Sequence, residues 1–451
     1  MAKGVKTRGG LGRGIPLLVL VVSLLASCNT ATPSPEDSYI DEGPDFDAVG
    51  RTTVLFGTKY EDSAYDIALD AQGNAYLTGR WEYINYSNGG NASIIKVDPA
   101  GKKIWSVLLD GGSIYDDRGI GIALNGAGHV FVAGDTYGDL EGNQNLGVSI
   151  TSSSADVFLS ELDGDGQKIR TGQWGSIYHD YCSGMAVTPS GAVYVGGNAM
   201  DQIGDVSCIE DDDDPGWCST DLFVSKWADG VREWTAVMGG SHDDDATALA
   251  ADGAGNIYSL GFVSGFTYGD LTLFKTAPDG KPVTNQNLSY LLGYHDTIYG
   301  EDVLVDLAGE VYVVGAFSED DRLLDAFLVK LDVDLEPAWI VAWGSEELDH
   351  AQAIARDGAG NLYVTGYTWG GNIDGNQGSG GEDIFLTSFT ADGTKRWTKQ
   401  WGPGRGIAVA VNEAGTIVYV AGDTTEQMDG NTPKGEEDIF LTIYDLEKSE
   451  Q

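Results

Sequence analysis

Short runs of alternating apolar and polar residues recur along this chain, and they are clearest in Gly344–Gly402. Alternation at a period of two residues is typical of half-buried β-strands. Turns rich in Gly and Asp separate the first run from the second and the third from the fourth, and the longer loop Thr368–Glu382 joins the second to the third. The four runs are Ala351–Arg356, Asn361–Tyr367, Asp383–Phe389 and Lys395–Trp401. This pattern predicts four antiparallel strands, the unit of a β-propeller blade.

The unit recurs seven times. Each copy of the second run holds an aromatic residue followed three positions later by a glycine: Gly79, Gly134, Gly197, Gly261, Gly315, Gly366 and Gly422. The last copy stops after Asp438–Tyr444 without a fourth run, while Arg51–Gly57 has the missing pattern at the other end of the chain. We therefore predict an all-β, seven-bladed propeller of four-stranded antiparallel blades. Residues 51–57 would pair with 438–444 and remove the free edge that would otherwise invite aggregation.

These repeats resemble the bacterial β-propeller repeat (SBBP-type) lipoprotein family, whose pattern runs D-x-x-G-N-x-Y-V-T-G, then G-N, D-x-F-L and W. The pattern is represented here by Asp357–Gly366, Gly375-Asn376, Asp383–Leu386 and Trp397. The resemblance covers about residues 51–447. It implies a propeller in an extracellular setting and no particular activity.

The first residues have the order of a targeting segment. Basic residues precede an apolar run, Ile15–Leu25, that is too short to span a bilayer. The following Leu25–Cys28 resembles the lipobox of bacterial lipoproteins, which implies that residues 1–27 are a signal peptide and that Cys28 is lipidated. The alternative is an ordinary secretory signal with an incidental cysteine. Residues 28–50, rich in Pro and acids, would tether one domain, 51–451, to the bacterial cell envelope, facing the periplasm or the exterior.

The charge of the chain restricts its partners. It holds 26 Lys and Arg against 69 Asp and Glu, a net charge of −43. Such a surface repels nucleic acid and anionic lipid headgroups and attracts cations or basic partners. Contact with a membrane is therefore expected only through the lipid anchor. With 42% hydrophobic residues placed periodically, the chain is expected to form a folded core, and we expect a monomer.

Two further positions repeat in the first strand of the units. The first position holds a small residue, which is expected to pack where seven strands converge on the axis: Ala64, Gly119, Cys182, Ala246, Gly300, Ala351 and Gly406. Two positions earlier, five units have an acid: Asp62, Asp117, Asp180, Asp244 and Asp349. These acids are expected on the face of the long second-to-third loops. They would either cap turn amides within their own loops or form a rim around the channel that attracts a cation or partner.

Four histidines fall in the same connections between units, and each adjoins an acid: His179, His242, His295 and His350. Imidazole and carboxylate groups are ligands of zinc and similar metals. A metal site is therefore one hypothesis. Because the four positions are not equivalent between units, solvated loop histidines are the alternative.

The third unit contains an insertion bracketed by Cys208 and Cys218. Disulfides persist in exported proteins, so we predict a bridge between these two cysteines, which would contribute roughly 2–3 kcal/mol in the chain-entropy model. Cys182 is expected to be a small buried residue rather than a reactive thiol.

Calcium is a possible ligand of several loops. Three glycine-rich loops, Gly138–Gly147, Gly370–Gly381 and Asp429–Gly435, offer side-chain and backbone oxygens, and the Cys208–Cys218 insertion encloses Asp211–Asp214. Glycine-rich turns need no ion, and the acidic run lacks the alternating ligand spacing of a known calcium loop. Solvated loops are the alternative.

The sequence shows no nucleophile elbow, no H-E-x-x-H, no P-loop and no dinucleotide fingerprint. The hypothesis it favours is a lipid-anchored binding or scaffold module that recognises a protein or polysaccharide through an acidic, loop-rich face. The alternative is an extracellular hydrolase or lyase with carboxylates at the mouth of the channel.

Overall fold

A computed structural model describes residues 50–83, 89–112, 116–146, 154–200, 203, 206–209, 218–264, 269–293, 297–318 and 323–449, together with the backbone of 45–46. Within these residues the chain forms seven antiparallel sheets. The first strand of every sheet contacts the first strands of both neighbouring sheets, so the seven first strands form a closed inner ring. The predicted seven-bladed β-propeller is confirmed.

The strands follow the chain from blade to blade. Blade 1 consists of Glu61–Leu69, Ala75–Tyr83, Asn91–Val97 and Lys103–Leu109. Blade 2 consists of Asp117–Leu124, Val130–Thr136, Asp156–Leu162 and Lys168–Trp174. Blade 3 consists of Asp180–Val187, Val193–Met200, Thr220–Ala228 and Val231–Met238. Blade 4 consists of Asp245–Ala251, Ile257–Ser264, Gly269–Thr276 and Pro282–Asn287. Blade 5 consists of Thr297–Val305, Val311–Ser318, Asp325–Leu331 and Pro337–Trp343. Blade 6 consists of Leu348–Arg356, Leu362–Trp369, Glu382–Phe389 and Lys395–Trp401. Blade 7 contains Arg405–Val411, Ile417–Thr424 and Asp438–Asp445.

Blade 7 is completed from the other end of the chain, as predicted. Arg51–Phe56 pairs antiparallel with Asp438–Asp445, with Arg51 opposite Tyr444 and Phe56 opposite Ile439. A further strand, Asp45–Phe46, pairs with Thr52 and Thr53 at the outer edge, so the sheet begins inside the segment expected to be a tether. The signal peptide, Cys28 and the rest of the tether lie outside the described residues.

Helices are few and short in the described part of the chain. Leu288–Leu292 forms one between blades 4 and 5, capped by the Asn287 side chain, and Leu446–Ser449 forms another. Leu140–Gly142 and Ile373–Gly375 are 3-10 turns. None of these described helices has the length and apolar character needed to cross a membrane.

The aspartate of the repeated D-x-x-G-N turn accepts the hydrogen bonds that hold the turn together. In blade 6 the Asp357 carboxylate accepts hydrogen bonds from the amides of Ala359 and Asn361 and from the Asn361 side chain. The hydroxyl of the buried Tyr363 donates a hydrogen bond to Oδ2 of the same carboxylate, at 3.3 Å between the two oxygens. One carboxylate therefore satisfies the turn amides and the hydroxyl of the core tyrosine, which would be costly to bury alone.

The repeated glycine of the second strand has a structural cause that the sequence pattern did not reveal. All seven first strands contain a β-bulge directly after their small residue. The bulge brings a carbonyl oxygen of the first strand against the glycine: a Cβ at Gly366 would lie 1.9 Å from His350 O, and one at Gly134 would lie 1.8 Å from Arg118 O. Only glycine permits this approach.

Adjacent blades pack through a row of three side chains that crosses the second, third and fourth strands. Blades 1, 3 and 5 carry Tyr, Lys and Trp in this row: Tyr76, Lys96, Trp105; Tyr194, Lys226, Trp234; Tyr312, Lys330, Trp339. The tyrosine ring meets the indole at 5.8–6.2 Å between centroids. Each indole lies against a turn glycine of the next blade, namely Gly166, Gly280 and Gly393. The indoles thereby fill the wedge-shaped space between blades.

Candidate functional site

The five repeated aspartates lie on the predicted face, where the fourth-to-first and second-to-third connections emerge. Their side chains are buried, at most 2% exposed, and bind loop backbone. Asp62 accepts from Thr58 N at 2.6 Å and Glu82 N at 2.7 Å. Asp244 accepts from Gly240 N at 2.6 Å and Ser264 N at 2.7 Å. Asp117, Asp180 and Asp349 bind the amides of Gly111, Ser176 and Ser345 in the same way.

These contacts give the acids the first of the two predicted roles, the capping of turn amides. Each joins loops of its own blade, and none presents its carboxylate to solvent. Burial raises the pKa of Asp62 and Asp117 to about 7 and that of Asp244 to about 6, although the amide donors oppose the shift. Burial also raises the pKa of Asp349. A cation-attracting rim would have to use other side chains of this face.

A buried apolar side chain and an asparagine hold each of three glycine-rich loops in place. In blades 2, 6 and 7 an apolar side chain with no exposed surface precedes an acid, a glycine and an asparagine: Leu140–Asn143, Ile373–Asn376 and Met428–Asn431. The asparagine amide donates to strand carbonyls, as from Asn376 to Thr398 O at 3.2 Å and from Asn431 to Thr53 O at 3.0 Å. The G-N pair therefore fixes the long loop to the outer strand of its own blade.

Arginines and acids from neighbouring blades meet around the axis on this face. Arg118 makes a two-point ion pair with the buried Asp135 at 2.9 and 3.0 Å. Arg405 pairs with Glu382 of blade 6 and lies over the Tyr367 ring. The buried Arg80 reaches Glu61 at 3.5 Å and Asp116 of blade 2 at 3.6 Å. We call Arg80, Arg118, Asp135, Glu382, Arg405, Asp423 and Glu437 the mouth cluster.

Two carboxyl groups of the mouth cluster influence one another. Burial, and then repulsion from Glu437, raises the pKa of Asp423 well above its usual range. Burial, and then repulsion from Glu61, raises the pKa of Glu437. Arg80 and Arg405 oppose both shifts. The cluster therefore contains carboxyl groups that hold protons more tightly than exposed acids do.

The histidines take up separate positions. His350 is buried, with Nδ1 3.1 Å from Tyr367 Oη and Nε2 3.1 Å from Glu301 Oε1. His179 stacks on Tyr181 and accepts a hydrogen bond from Ala155 N. His242 lies 3.2 Å from Ser241 Oγ, and His295 lies outside the described residues. Across the described ranges no three His, Cys, Asp or Glu side chains converge in a way that would hold a metal ion.

The predicted disulfide is present between Cys208 and Cys218, with Cα atoms 5.7 Å apart. Asp211–Asp214, which the bridge encloses, lies outside the described residues. Cys182 is 6% exposed and packs with Phe131 and Val195, as expected of a small buried residue.

Sequence reasoning missed the mouth cluster. A partial signal lies at the position after the repeated second-strand glycine, where three of the seven copies carry a mouth-cluster residue: Arg80, Asp135 and Asp423. The other copies have Asn198, Phe262, Ala316 and Tyr367 there, so the repeat shows no single pattern at this position.

Comparison with known proteins agrees with this architecture. The SBBP family model, described as a beta-propeller repeat, matches residues 344–374. The chain thus carries an SBBP repeat, and it is a β-propeller.

The chain is also similar to the Regulatory protein FlaEY of Caulobacter vibrioides, with 25% identity over 325 residues. That alignment covers 68% of this chain and 33% of the relative, so the chain spans about a third of the relative's length. Among solved structures it is similar to the beta-propeller domain of Cps50 (Swd1) from Myceliophteria thermophila, at a TM-score of 0.48 and 9% identity, covering 87% of this chain and 99% of that one.

Proposed function

We propose that this protein is a binding module that recognises a partner in the bacterial cell envelope through the face carrying the mouth cluster. The observation that carries the proposal is the way this face is built. Buried aspartates and asparagines fix its loops, while arginines and acids from several blades converge inside the ring of loops. Fixed loops lose little conformational entropy on binding, which favours recognition of a partner.

The mouth cluster and the charge of the whole chain have different consequences for the partner. The net charge of −43 disfavours nucleic acid and anionic lipid headgroups and favours basic or neutral partners. The arginine–carboxylate pairs offer planar donors and acceptors side by side, which suit hydroxyl and amide groups of a polysaccharide or a protein. The Caulobacter relative is named a regulatory protein, which supports a role exerted through binding.

Anchoring belongs to this proposal. Lipidation of Cys28 would hold the propeller at the membrane through the tether, and the loop-rich face would be free to reach the periplasm or the exterior. A Cys28→Ser variant is expected to leave the membrane fraction and appear in the soluble envelope or the medium. Retention of this variant in the membrane fraction at the wild-type level would contradict lipid anchoring.

The binding proposal is tested with the purified full chain and two envelope materials, peptidoglycan sacculi and soluble envelope polysaccharide, by co-sedimentation and titration. Arg118→Gln and Arg405→Gln are expected to weaken binding about tenfold, or ~1.4 kcal/mol. Lys102→Gln and Lys281→Gln, at exposed turns of the opposite face, serve as matched controls and should bind as the wild type does. Equal binding by all four variants would contradict the proposal, and no binding to either material would exclude these two polysaccharides as the partner.

Calcium is a further part of the proposal, as a ligand that stabilises the glycine-rich loops. A ligand that binds only the native state must raise the unfolding temperature. The full chain should therefore melt at a higher temperature in Ca²⁺ than in Mg²⁺ at equal ionic strength. Identical melting temperatures in the two ions would remove calcium from the proposal.

A second candidate function is a polysaccharide hydrolase or lyase, favoured by the raised pKa values of Asp423 and Glu437. A carboxyl group that holds its proton more tightly than an exposed acid does can serve as a general acid. Release of reducing ends or unsaturated products from envelope polysaccharide, lost in both Asp423→Asn and Glu437→Gln, would establish this function. Product release that persists in both variants would exclude these two residues as its catalytic groups.

A further inference from the structure

Blade 2 differs from blades 1, 3 and 5 at all three positions of the row of side chains that fills the space between blades. Where blades 1, 3 and 5 have Tyr, Lys and Trp, blade 2 has Phe131, Glu161 and Arg170 in the same cross-strand register. The tyrosine hydroxyl is lost, the cation becomes an acid, and the indole becomes a guanidinium. Arg170 lies against Gly230 of blade 3, where the indoles of other blades lie against their glycines. A flat, bulky ring is therefore missing from this wedge.

The substitution leaves a cavity of about 340 Å³ between blades 2 and 3. It is lined by His129, Phe131, Glu161, Arg170, Ser190 and Trp227, among others. Turns that join first to second and third to fourth strands surround it, so it opens on the face opposite the mouth cluster. The His129 and Arg170 side chains are 38% and 44% exposed, which shows that solvent reaches the cavity.

The polar wall of the cavity is a three-residue network centred on Glu161. The Glu161 carboxylate is 6% exposed, with Oε1 2.6 Å from His129 Nδ1 and Oε2 2.5 Å from Arg170 Nη2. Both carboxylate oxygens are therefore engaged inside the protein, Oε1 by His129 and Oε2 by Arg170. Glu161 orients the two side chains, and the exposed parts of His129 and Arg170 are the polar groups that a ligand hydroxyl can reach.

The apolar wall is aromatic. Trp227 occupies a third-strand position of blade 3 and packs against Trp174 at 4.8 Å between ring centroids. The absence of a side chain at Gly172 makes room for this indole, since a Cβ there would lie 2.7 Å from it. Trp227 Nε1 is buried and has no hydrogen-bond partner. Phe131 lines the same cavity, so one wall of the site is aromatic.

We infer that this cavity is a binding site for one neutral sugar unit. The C–H face of a pyranose suits the aromatic wall, and its hydroxyls match the N–H donors of Arg170 and the imidazole of His129. Glu161 and Arg170 cancel one another's charge, so a charged ligand gains no counter-ion from this pair. The volume accommodates a monosaccharide or the terminal unit of a longer chain. The inference does not rest on the proposed function, because the mouth cluster lies on the opposite face.

The test uses the purified full chain and ligand-observed NMR with named probes. The neutral probes are glucose, galactose, N-acetylglucosamine and their disaccharides, and the charged probes are glucuronate and glucosamine. At least one neutral probe should show saturable transfer, with a dissociation constant on the order of millimolar or below. Disaccharides that bind better than monosaccharides would identify the terminal unit of a chain as the ligand. Absence of a saturable neutral probe, or tighter binding of the charged probes, would overturn the inference.

Variants locate the binding in the cavity. Arg170→Trp restores the residue of the sibling blades and should abolish binding while the melting temperature stays at or above that of the wild type. Glu161→Gln, which removes the charged partner that orients Arg170, should weaken binding about tenfold, and Trp227→Leu, which removes the aromatic face, should weaken it severalfold.

Matched controls lie in other blades. Lys330→Gln removes the ion pair with Glu310 in blade 5, and Trp397→Phe alters an indole of blade 6. Both should bind the probe as the wild type does. Binding that survives Arg170→Trp unchanged, or that falls equally in Lys330→Gln, would show that the sugar does not occupy this cavity.

Discussion

At the scale of single residues, the inner ring depends on close contacts between the first and second strands. The bulge in the first strand and the glycine in the second form one device, because the carbonyl oxygen displaced by the bulge occupies the space of a side chain. This device occurs in all seven blades, and it explains why a strand rich in Tyr and Val keeps a residue of low β-propensity.

Replacement of one of these glycines tests the device. Gly366→Ala places a Cβ 1.9 Å from His350 O, so we expect a loss of about 2–4 kcal/mol in the free energy of unfolding. Denaturant titration followed by circular dichroism measures it. Gly126→Ala is the control, since an added Cβ there meets no atom within 4 Å. Equal stability of the two variants would contradict the close approach.

The buried aspartates predict an unusual pH dependence. The pKa of Asp62 rises from 3.8 to about 7 in the folded protein. Between these values the folded state binds the proton and the unfolded state does not, so stability contributed by this group falls as pH rises through that window. Wild-type protein should be more stable at the acidic end, as measured by denaturant midpoints across the window.

Asp62→Asn isolates this contribution. The asparagine has no titrating proton, so the curve of stability against pH should be flatter, and overall stability should fall because one amide donor loses its acceptor. Asp165→Asn, at an exposed turn, should leave the slope unchanged. A slope that is identical in Asp62→Asn and wild type would show that Asp62 does not titrate in this range.

At the scale of elements, closure of the ring depends on one strand from the other end of the chain. Arg51–Phe56 supplies the outer strand of blade 7, and its Val54, Leu55 and Phe56 are at most 3% exposed. Deletion of residues 1–57 should leave Asp438–Asp445 as an open edge. We expect a lower melting temperature and aggregation in size-exclusion chromatography, whereas deletion of residues 1–44 should preserve a monomer. Equal behaviour of the two truncations would contradict closure by this strand.

The disulfide acts on a single insertion. Its loop spans ten residues of sequence separation, so removal by Cys208→Ser with Cys218→Ser should cost roughly 2–3 kcal/mol if the insertion unfolds with the blade. Reductant should lower the melting temperature of the wild type and leave the double variant unchanged. A shift of equal size in both proteins would trace the effect to something other than this bridge.

At the scale of the whole molecule, charge opposes compaction. A net charge of −43 on one propeller produces self-repulsion that salt screens. The screening length falls from ~30 Å at 0.01 M to ~8 Å at 0.15 M salt, so the melting temperature should rise as NaCl is added over this range. An equal concentration of a neutral osmolyte in place of salt is the control. A melting temperature that falls with NaCl would show that attractive ion pairs, such as Arg118 with Asp135, dominate instead.

The sequence allowed the blades to be counted because each strand carries its own signal. Asp357, Tyr363 and Gly366 have counterparts at the same spacing in other blades, and the incomplete last unit indicated closure by residues 51–57. The candidate site could be predicted less completely from the sequence. The repeat identified Asp62 and its equivalents, but spacing could not distinguish a buried amide acceptor from an exposed carboxylate, since that depends on where Thr58 and Glu82 lie.

The sequence by itself determined the fold, the number of blades, the closing strand and the cysteine pair, because these follow from local periodicity and from one repeated unit. Only the tertiary structure decided which divergent positions meet. Arg405 and Glu382, or Glu161 and Trp227, lie in different blades, and nothing local brings them together. Ring closure sets these distances, and the row of Phe131, Glu161 and Arg170 borders a cavity only because blade 3 stands beside it.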